Sequence, residues 1–411
     1  MKSLIYTKNN IKNIVINLPN SKSISNRALI INALLNNKIV LNEISSADDT
    51  QLMHSVLLNE SNEVNIENAG TCMRFLTAFF ASKEHKNINL IGSERMKQRP
   101  IKELVDALLI LGAEIDYLEK PNYPPLKING KKLIGKLINI DASESSQFIT
   151  ALMLIAPFVQ NGITINLKGK IASFDFIKMT ALLMNEFGLS VSLIENSIII
   201  KPYQNEPIIA DFTIEKDWSS AAFWYLIAAL NSKLSIHLIG LSKTSIQGDH
   251  ITFKIFEKLG VSTTETNEGI VILKENILTD FLIFDLMNAI DLAPALCVAC
   301  AALNVNATIS GLQNLKIKES NRLLAIVNEL KKFGYDASNS SDEIIIKQRN
   351  NIDYNQSITI NTYNDHRMAM AFAPLALLFN QLKIDNIAVV SKSYPNYFND
   401  LKLVGITVKN I

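Results

Sequence analysis

The sequence predicts an α/β protein built from six related units in two groups of three. Apolar, helix-like runs end at regular intervals in a glycine that opens a strand-like run. These glycines are Gly112, Gly188, Gly260, Gly334 and Gly405. A glycine just past a helix end typically adopts the left-handed conformation that terminates the helix. The intervals of 76, 72, 74 and 71 residues leave room in 411 residues for a sixth copy near the start. There, the segment 52–66 predicts a helix with Asn59 or Asn62 in place of the glycine.

Composition sets the class of protein and the number of domains. A chain of 411 residues exceeds what one hydrophobic core usually serves, so two domains are expected. Hydrophobic residues make up 48% of the chain and charged residues 19%, which is typical of a packed globular protein. Lysine and arginine number 40 against 39 aspartates and glutamates. The chain therefore lacks the basic field of a nucleic-acid-binding protein, and any anion site must be local.

The cysteines, Cys72, Cys297 and Cys300, are sparse and odd in number. Cys297 and Cys300 have C-x-x-C spacing, but they lie in an apolar helix-like run with no second pair. Core thiols are therefore favoured over a zinc or redox site. The N-terminal segment has no apolar signal core, and no run approaches membrane-span length. The sequence thus predicts a cytoplasmic protein with no metal site and no membrane contact.

The candidate hinge is the polar stretch 215–220, which precedes an apolar helix-like run at 221–230. We expect one domain at 18–215 and a second at 1–17 plus 216–411. No long linker and no low-complexity segment is present.

The stretch Pro19–Arg27 lies between a strand-like run at 14–16 and helix-like apolar spacing, so it predicts a helix N-terminus. Free N–H groups and the helix dipole attract anions there. Lys22 and Arg27 add positive charge, and Ser23 shares a helix face with Arg27. A serine-capped surface helix with two solvated bases explains this stretch equally well.

Further polar islands interrupt the apolar chain, most of them at predicted helix starts. They are 45–50, 68–74, 95–100, 143–147, 314–322 and 362–370. Each island alone is explained by a solvated cap, a surface loop or a surface ion pair. Together they place cations in both halves of a nearly neutral chain, which predicts ligands with several anionic groups held between two domains. The sequence contains no P-loop, Rossmann glycine motif or metal-spaced His/Cys cluster.

Four of the motifs occur together in one enzyme family. They are Pro-Asn-Ser-Lys-Ser-Ile-Ser-Asn-Arg at 19–27, Asn-Ala-Gly-Thr-Cys-Met-Arg at 68–74, Lys-Glu-Ser-Asn-Arg at 318–322 and Thr-Tyr-Asn-Asp-His-Arg-Met-Ala-Met at 362–370. From Lys22 to Lys392 the chain resembles the 5-enolpyruvylshikimate-3-phosphate synthase family. The resemblance implies two domains, each of three βαβαββ repeats, that close over the substrates. It also implies transfer of the enolpyruvyl group of phosphoenolpyruvate to the 5-hydroxyl of shikimate 3-phosphate, with release of phosphate, in the shikimate pathway to chorismate and the aromatic amino acids.

The matching motif positions imply which residues of this chain form the site. For shikimate 3-phosphate the resemblance implies Lys22, Ser23, Arg27, Ser145, Ser146, Gln147, Ser173, Asp291, Asn314 and Lys318. For phosphoenolpyruvate it implies Lys22, Gly70, Arg99, Gln147, Arg322, Arg367 and Lys392. The implied catalytic residues are Asp291, the base near the 5-hydroxyl, Glu319, the acid that protonates the methylene carbon, and Lys22. The reaction needs no metal and no organic cofactor, and the expected protein is a monomer that binds two small molecules and no nucleic acid.

Asn20, Phe75 and Phe176 depart from the family's pattern, because glycine, proline and tyrosine respectively are usual there. Phe176 removes one hydroxyl from the implied shikimate 3-phosphate site. Phe75 is expected to start a helix at 75–80. Glyphosate competes with phosphoenolpyruvate in this family. Inhibition is expected here because Gly70 has no methyl side chain that would crowd the inhibitor. Without the proline at position 75, that inhibition is expected to be weaker.

Two alternatives remain. UDP-N-acetylglucosamine enolpyruvyl transferase shares the fold and the donor, but that family typically carries a cysteine in a glycine-rich loop before an Arg-Pro pair. Ser93–Pro100 contains no cysteine. The other alternative is a catalytically inactive sensor of phosphorylated ligands, and the intact carboxylates of Asp291 and Glu319 argue against it.

Overall fold

The computed structural model describes residues 2–6, 12–59, 61–204, 209–276, 279–349 and 351–410. The chain forms two compact units. Unit 1 comprises Met1–Ser21 and Glu215–Ile411, and unit 2, Lys22–Ile214, is inserted into its sequence. The sequence-based domain boundaries at 17/18 and 215/216, and closure over a ligand, stay predictions.

Strands and helices are interspersed along the chain. The strands are β1 (Lys2–Tyr6), β2 (Asn13–Asn17), β3 (Val40–Asn42), β4 (Glu63–Asn65), β5 (Asn87–Ile91), β6 (Glu114–Tyr117), β7 (Leu126–Asn129), β8 (Leu137–Asp141), β9 (Ile163–Lys168), β10 (Val191–Ile194), β11 (Ser197–Ile200), β12 (Asp211–Thr213), β13 (Ser235–Ile239), β14 (Val261–Thr266), β15 (Gly269–Lys274), β16 (Phe281–Asp285), β17 (Asn306–Ser310), β18 (Asp336–Asn339), β19 (Ile344–Lys347), β20 (Ser357–Ile360), β21 (Gln381–Ile384) and β22 (Ile406–Asn410). The helices are α1 (Lys22–Leu34), α2 (Asp48–Leu58), α3 (Gly70–Ala81), α4 (Lys102–Ile110), α5 (Ser146–Ile155), α6 (Phe174–Glu186), α7 (Trp218–Leu230), α8 (Thr252–Lys258), α9 (Ala293–Ala302), α10 (Arg322–Lys332), α11 (His366–Phe372) and α12 (Tyr397–Asp400).

Five four-stranded sheets in the described residues share one topology. In the sheet β16–β17–β19–β18, the first two strands are parallel, and the hairpin β18–β19 adds to β17 in antiparallel fashion. Helices α9 and α10 follow β16 and β17, so the repeat reads βαβαββ. The sheets β4–β5–β7–β6 and β8–β9–β11–β10 repeat this order in unit 2. The predicted α/β class of βαβαββ repeats is confirmed.

Unit 1 completes its other two sheets with strands from the start of the sequence. β2 pairs in parallel with β13, although the whole of unit 2 lies between β2 and helix α7 in the chain. β1 pairs with both β21 and β22. The two ends of the sequence therefore belong to one sheet.

The sixth predicted copy is a reduced unit. In the part of unit 2 that is described, β3 pairs with β12 alone. Because α2 ends at Leu58 and β4 begins at Glu63, no room remains for the hairpin of a full repeat. Asn59, one predicted substitute for the glycine, has an extended backbone with φ −101° and does not form a left-handed cap.

The predicted helix-ending glycines are confirmed. Their φ values lie between +81° and +98°, a region in which a side chain is unfavourable; they are Gly112, Gly188, Gly260, Gly334 and Gly405. Four of them precede β6, β10, β14 and β18, the strands that open hairpins, and Gly405 precedes β22, which pairs with β1. The period read from the sequence is therefore the period of these five strands.

Helices α7 and α9 lie in the core of unit 1, with Trp224, Cys297 and Cys300 fully buried. Burial raises the pKa of the Cys300 thiol to about 12 and the pKa of Cys297 well above its ordinary value, as expected of core thiols. Among the helices described, none is long and apolar enough to cross a membrane. The described side chains also form no group of three or more His, Cys, Asp or Glu that could hold a metal ion.

Several predicted site residues lie where a strand passes into a helix. Lys22, Gly70, Ser146 and Arg322 are the first residues of α1, α3, α5 and α10. The first turn of a helix has N–H groups without intrahelical partners and the positive end of the helix dipole. These positions are therefore suited to binding anions.

Two predicted helix starts are wrong. Helix α3 begins at Gly70 and not at Phe75, and α7 begins at Trp218, so residues 218–220 of the candidate hinge are helical. In both cases the helix includes residues ahead of the apolar run from which the start was read, namely 70–74 in α3 and 218–220 in α7.

Candidate active site

Lys22 joins two of the polar islands of unit 2. Its Nζ donates to Oδ2 of Asp49 at 3.1 Å, which links the start of α1 to the start of α2. The Lys22 and Asp49 side chains are 15% and 7% exposed. The ion pair therefore holds the Lys22 ammonium in a fixed position with little surrounding water.

The Arg27 guanidinium is buried, and within the described residues its hydrogen bonds all go to neutral oxygens. Its Nε donates to Thr180 Oγ1 at 2.8 Å. Its Nη1 donates to the Ser23 carbonyl at 2.8 Å, and Nη2 lies 3.5 Å from Thr150 Oγ1. Burial lowers the pKa of Arg27 to about 9. An anion bound at Arg27 would offset that cost of burial.

Two of the residues that depart from the family pattern flank Arg27. The Arg27 Cζ lies 5.4 Å from the ring centroid of Phe75 and 5.7 Å from that of Phe176. Both distances fit cation–π attraction. Phe75 is buried within α3, so its ring packs on the cation and does not set the entry angle of the helix.

Gly70 and Arg99 pack directly against each other. A Cβ built on Gly70 would lie 2.9 Å from the Cζ of Arg99, so any side chain at position 70 displaces the guanidinium. Arg74 connects the first turn of α3 to the residue after Arg99: Nη1 donates to the Gly70 carbonyl and Nη2 to the Pro100 carbonyl, each at 3.2 Å. Arg74 is a residue that the sequence analysis left without a role.

The start of α5 meets the start of α3. Ser145 caps α5 by accepting from the Gln147 N–H at 3.2 Å, and the Gln147 Nε2 donates to Thr71 Oγ1 at 3.2 Å. Ser146 is buried beside them. Ser173 precedes α6 with left-handed backbone angles, φ +56° and ψ +46°, and makes no side-chain cap. A serine in this conformation is strained, and such residues cluster at functional sites.

Arg322 is the centre of the unit 1 group and is completely buried. Its Nε and Nη2 donate to the two carboxylate oxygens of Asp365 at 2.9 and 3.2 Å. Its Nη1 donates to Asp291 Oδ1 at 3.0 Å, and Nη2 also donates to Glu319 Oε2 at 2.8 Å. Burial lowers the pKa of Arg322, but the three carboxylates outweigh burial and hold the pKa above its ordinary value.

Asp291 bridges two arginines. Its Oδ1 accepts from Arg322, and its Oδ2 accepts from Arg367 Nη2 at 3.0 Å. The Arg367 Nη1 donates to the Asp291 carbonyl at 3.2 Å, and the Lys318 Nζ lies 3.8 Å from Oδ1. Burial raises the pKa of Asp291, but the charges of Arg367, Lys318 and Arg322 outweigh it and hold that pKa well below its ordinary value.

Glu319 accepts from Arg322 Nη2 through Oε2, and the Lys392 Nζ lies 3.8 Å from Oε1 of Glu319. Asn314 belongs to the 3₁₀ turn Gln313–Ile317 that leads into this loop. The structure thus brings six predicted residues of unit 1 into one charged network: Asp291, Lys318, Glu319, Arg322, Arg367 and Lys392.

Asp365 is a functional candidate that the sequence analysis missed. Its side chain is completely buried, pairs with Arg322 through both oxygens, and accepts from the Arg367 N–H at 3.0 Å as the cap of α11. The Ser320 hydroxyl donates to it at 3.0 Å. Asp365 therefore positions both arginines of the network. Its place in the Asp-His-Arg motif was the available signal.

Asp249 is a buried carboxyl group that interacts electrostatically with Asp291 and Arg367. It accepts a hydrogen bond from the Ser219 hydroxyl, and its Oδ1 has no hydrogen-bond partner in the described residues. Burial and the negative charge of Asp291 raise the pKa of Asp249 to about 7, although Arg367 and Ser219 lower it. This carboxyl group is therefore protonated in the folded protein at pH values where it is ionised in the unfolded chain.

Replacing Asp249 with asparagine is expected to stabilise the protein more at pH 8 than at pH 4. The raised pKa favours folding below the ordinary value of 3.8, and this contribution is lost as the pH rises to about 7. Above that pH the wild type retains a buried carboxylate that the variant lacks. Urea unfolding of both proteins at the two pH values measures the difference, and an equal effect at both would contradict the prediction.

Known proteins resemble this chain over nearly its full length. Residues 54–401 match the family model described as EPSP synthase (3-phosphoshikimate 1-carboxyvinyltransferase). A curated protein from Bacteroides fragilis (strain YCH46) with the name 3-phosphoshikimate 1-carboxyvinyltransferase is 43% identical over 412 residues, covering 100% of this chain and 99% of the relative. Another with that name, from Pasteurella multocida (strain Pm70), is 36% identical over 93% of each chain.

A solved structure has the same fold. The EPSP synthase from Acinetobacter baumannii matches with a TM-score of 0.75 and 19% sequence identity, covering 100% of this chain and 99% of that one. The arrangement of βαβαββ repeats is thus shared with a solved structure.

Proposed function

The chain belongs to the EPSP synthase (3-phosphoshikimate 1-carboxyvinyltransferase) family, and we propose that it transfers the enolpyruvyl group of phosphoenolpyruvate to the 5-hydroxyl of shikimate 3-phosphate. The observation that carries the proposal is the charged network of unit 1, where two carboxylates and two arginines share hydrogen bonds. Phosphate is the second product. The reaction belongs to the shikimate pathway and the synthesis of aromatic amino acids.

The groups of unit 2 support binding of phosphorylated ligands. Arg27, buried among neutral oxygens, suits the phosphate of shikimate 3-phosphate, with Ser23, Ser146 and Ser173 as hydroxyl partners. The remaining implied contacts of that substrate are Lys22, Ser145, Gln147, Asp291, Asn314 and Lys318.

Phosphoenolpyruvate requires cations for both of its anionic groups. Arg322 and Arg367 suit its carboxylate, because a guanidinium matches a carboxylate with two parallel hydrogen bonds. Lys22 and Arg99 suit its phosphate, and Gly70 leaves space for Arg99. The other implied contacts are Gln147 and Lys392.

Two proton transfers divide between two carboxyl groups. Asp291 accepts the proton of the 5-hydroxyl while the oxygen of that hydroxyl bonds to C2 of phosphoenolpyruvate. In the same step Glu319 protonates the C3 methylene. Glu319 then takes a proton back from C3 while the C2–O bond to phosphate breaks, which restores the double bond, and the departing phosphate takes the proton held by Asp291. Lys22 neutralises charge on the substrates during both steps.

The alternative acceptor, UDP-N-acetylglucosamine, is not favoured. The family model and the curated relatives named above belong to the shikimate enzyme. The cytoplasmic location and the monomeric state stay predictions, and light scattering of the purified chain would test the second.

Phosphate release is expected to require shikimate 3-phosphate. The purified chain with phosphoenolpyruvate should release phosphate when this acceptor is added and should release none with UDP-N-acetylglucosamine, because the cations of unit 2 are matched to a phosphorylated cyclic acid. A coupled phosphate assay measures both rates. Release with the UDP-sugar alone would contradict the proposal.

Gly70→Ala is expected to raise the KM for phosphoenolpyruvate by about tenfold or more, since displacements near 1 Å are known to cost up to ~10²-fold. The new methyl group displaces the Arg99 guanidinium. The KM for shikimate 3-phosphate serves as the internal control and should change little. Inhibition by glyphosate, the expected competitor of phosphoenolpyruvate, should weaken in parallel, and an unchanged KM for phosphoenolpyruvate would remove Gly70 and Arg99 from that subsite.

A further inference from the structure

We propose that Asp291 is a built-in competitor for the carboxylate of the donor substrate, which must displace it from Arg322 and Arg367 to bind. This inference rests on the proposed function, because it takes these two arginines as the donor's carboxylate site. Asp291, proposed above as the base, would then have a second role in selecting the ligand.

The geometry of the bridge carries the inference. One oxygen of Asp291 accepts from Arg322 and the other from Arg367, each at 3.0 Å. A substrate carboxylate that bridges the same two guanidinium groups competes with Asp291 for these two nitrogen atoms. The side chain of Asp291 therefore occupies the position that an external carboxylate would take.

A ligand cannot readily replace the partner of the Nε–Nη2 edge of Arg322. Asp365 holds Nε and Nη2 from a completely buried position, and it is fixed in turn by the Ser320 hydroxyl and the Arg367 N–H. Asp291 is less enclosed, with 16% of its side chain exposed. Of the two aspartates on Arg322, Asp291 is the one that can yield to a ligand.

Displacement also changes the chemistry of Asp291. The arginine charges that now hold its pKa low would be shared with the incoming carboxylate, so the pKa of Asp291 rises towards a value useful for a base. A ligand without a carboxylate gains nothing from this exchange. The contact thus favours a carboxylate ligand and links its binding to the readiness of the base.

The test is the affinity of the full chain for phosphoenolpyruvate alone, measured by isothermal titration calorimetry without acceptor. Asp291→Ala frees Arg322 Nη1 and Arg367 Nη2 from the carboxylate and is expected to bind phosphoenolpyruvate about tenfold or more tightly than wild type, a change of ~1.4 kcal/mol. Asp291→Asn keeps a neutral oxygen that can accept one hydrogen bond, so its affinity should lie between the two. Circular dichroism establishes that both variants are folded.

Asp249→Asn is the matched control for charge. It removes a buried carboxyl group that interacts electrostatically with Asp291 and Arg367 but forms its side-chain hydrogen bond with Ser219. Its affinity should change much less than that of Asp291→Ala, since both arginines keep their hydrogen bonds to Asp291. Equal affinity in wild type and Asp291→Ala, no binding to Asp291→Ala, or an equal gain in Asp249→Asn would overturn the inference. If the proposed function itself were wrong, the result would differ: the wild-type protein would show no turnover with shikimate 3-phosphate.

Discussion

Glu319→Gln and Asp291→Asn are each expected to lower kcat by about 10²–10⁴-fold, the usual contribution of a general acid or base. An amide can neither deliver a proton to the C3 methylene nor accept one from the 5-hydroxyl. Each amide oxygen can still accept a hydrogen bond from Arg322, which holds both carboxylates in the wild type. The loss should therefore fall on turnover more than on folding. Steady-state kinetics with both substrates varied measures kcat and both KM values.

Glu257→Gln is the control for these two variants. Glu257 is an exposed residue of α8 in the same unit, so the same chemical change there should leave kcat unaltered. Near-normal turnover in Glu319→Gln would remove that residue from proton transfer. The same result in Asp291→Asn would leave Asp291 as a binding residue and move the search for the base to another group.

The features predicted correctly from the sequence are local ones. The period of the repeat was legible because each hairpin begins after a glycine with positive φ, and that requirement is met within a few residues. The motif residues could be found because strands pass into helices at short polar turns, as at Lys22 and Gly70. Requirements that are met within a few neighbouring residues can be recognised in a single sequence.

Pairings between distant segments left no such pattern. Arg322 and Asp365 are 43 residues apart, and Arg74 reaches a carbonyl 26 residues away. Only the folded repeats bring those groups together, so the motif alone could not distinguish Asp365 from its neighbour His366. The strand pairing of the reduced sixth unit was also hidden, because β12, the partner of β3, comes from the far end of unit 2.

Asp365→Ala is expected to destabilise the protein by about 3–5 kcal/mol, the usual result of removing one partner from a buried ion pair. Arg322 would keep its contacts with Asp291 and Glu319. It would lose the two hydrogen bonds that its Nε and Nη2 donate to Asp365, although its side chain is completely buried. The variant also loses the cap of α11, which accounts for about 1 kcal/mol of that total. Turnover should fall as well, because the same carboxylate orients Arg322 and Arg367.

The cap and the ion pair can be separated by two further variants. Asp365→Asn retains an oxygen that can cap α11 but presents a neutral amide to the guanidinium, so it should recover only the cap's share of the lost stability. Asn321→Ala removes the cap of α10, the helix that begins at Arg322, where Asn321 accepts from the Leu324 N–H at 3.3 Å. It breaks no ion pair of Arg322 and should cost about 1 kcal/mol. Urea unfolding of all three variants gives the comparison. If Asp365→Ala cost no more than Asn321→Ala, the carboxylate would act only as a helix cap, and Arg322 would be held adequately by the two carboxylates assigned to catalysis.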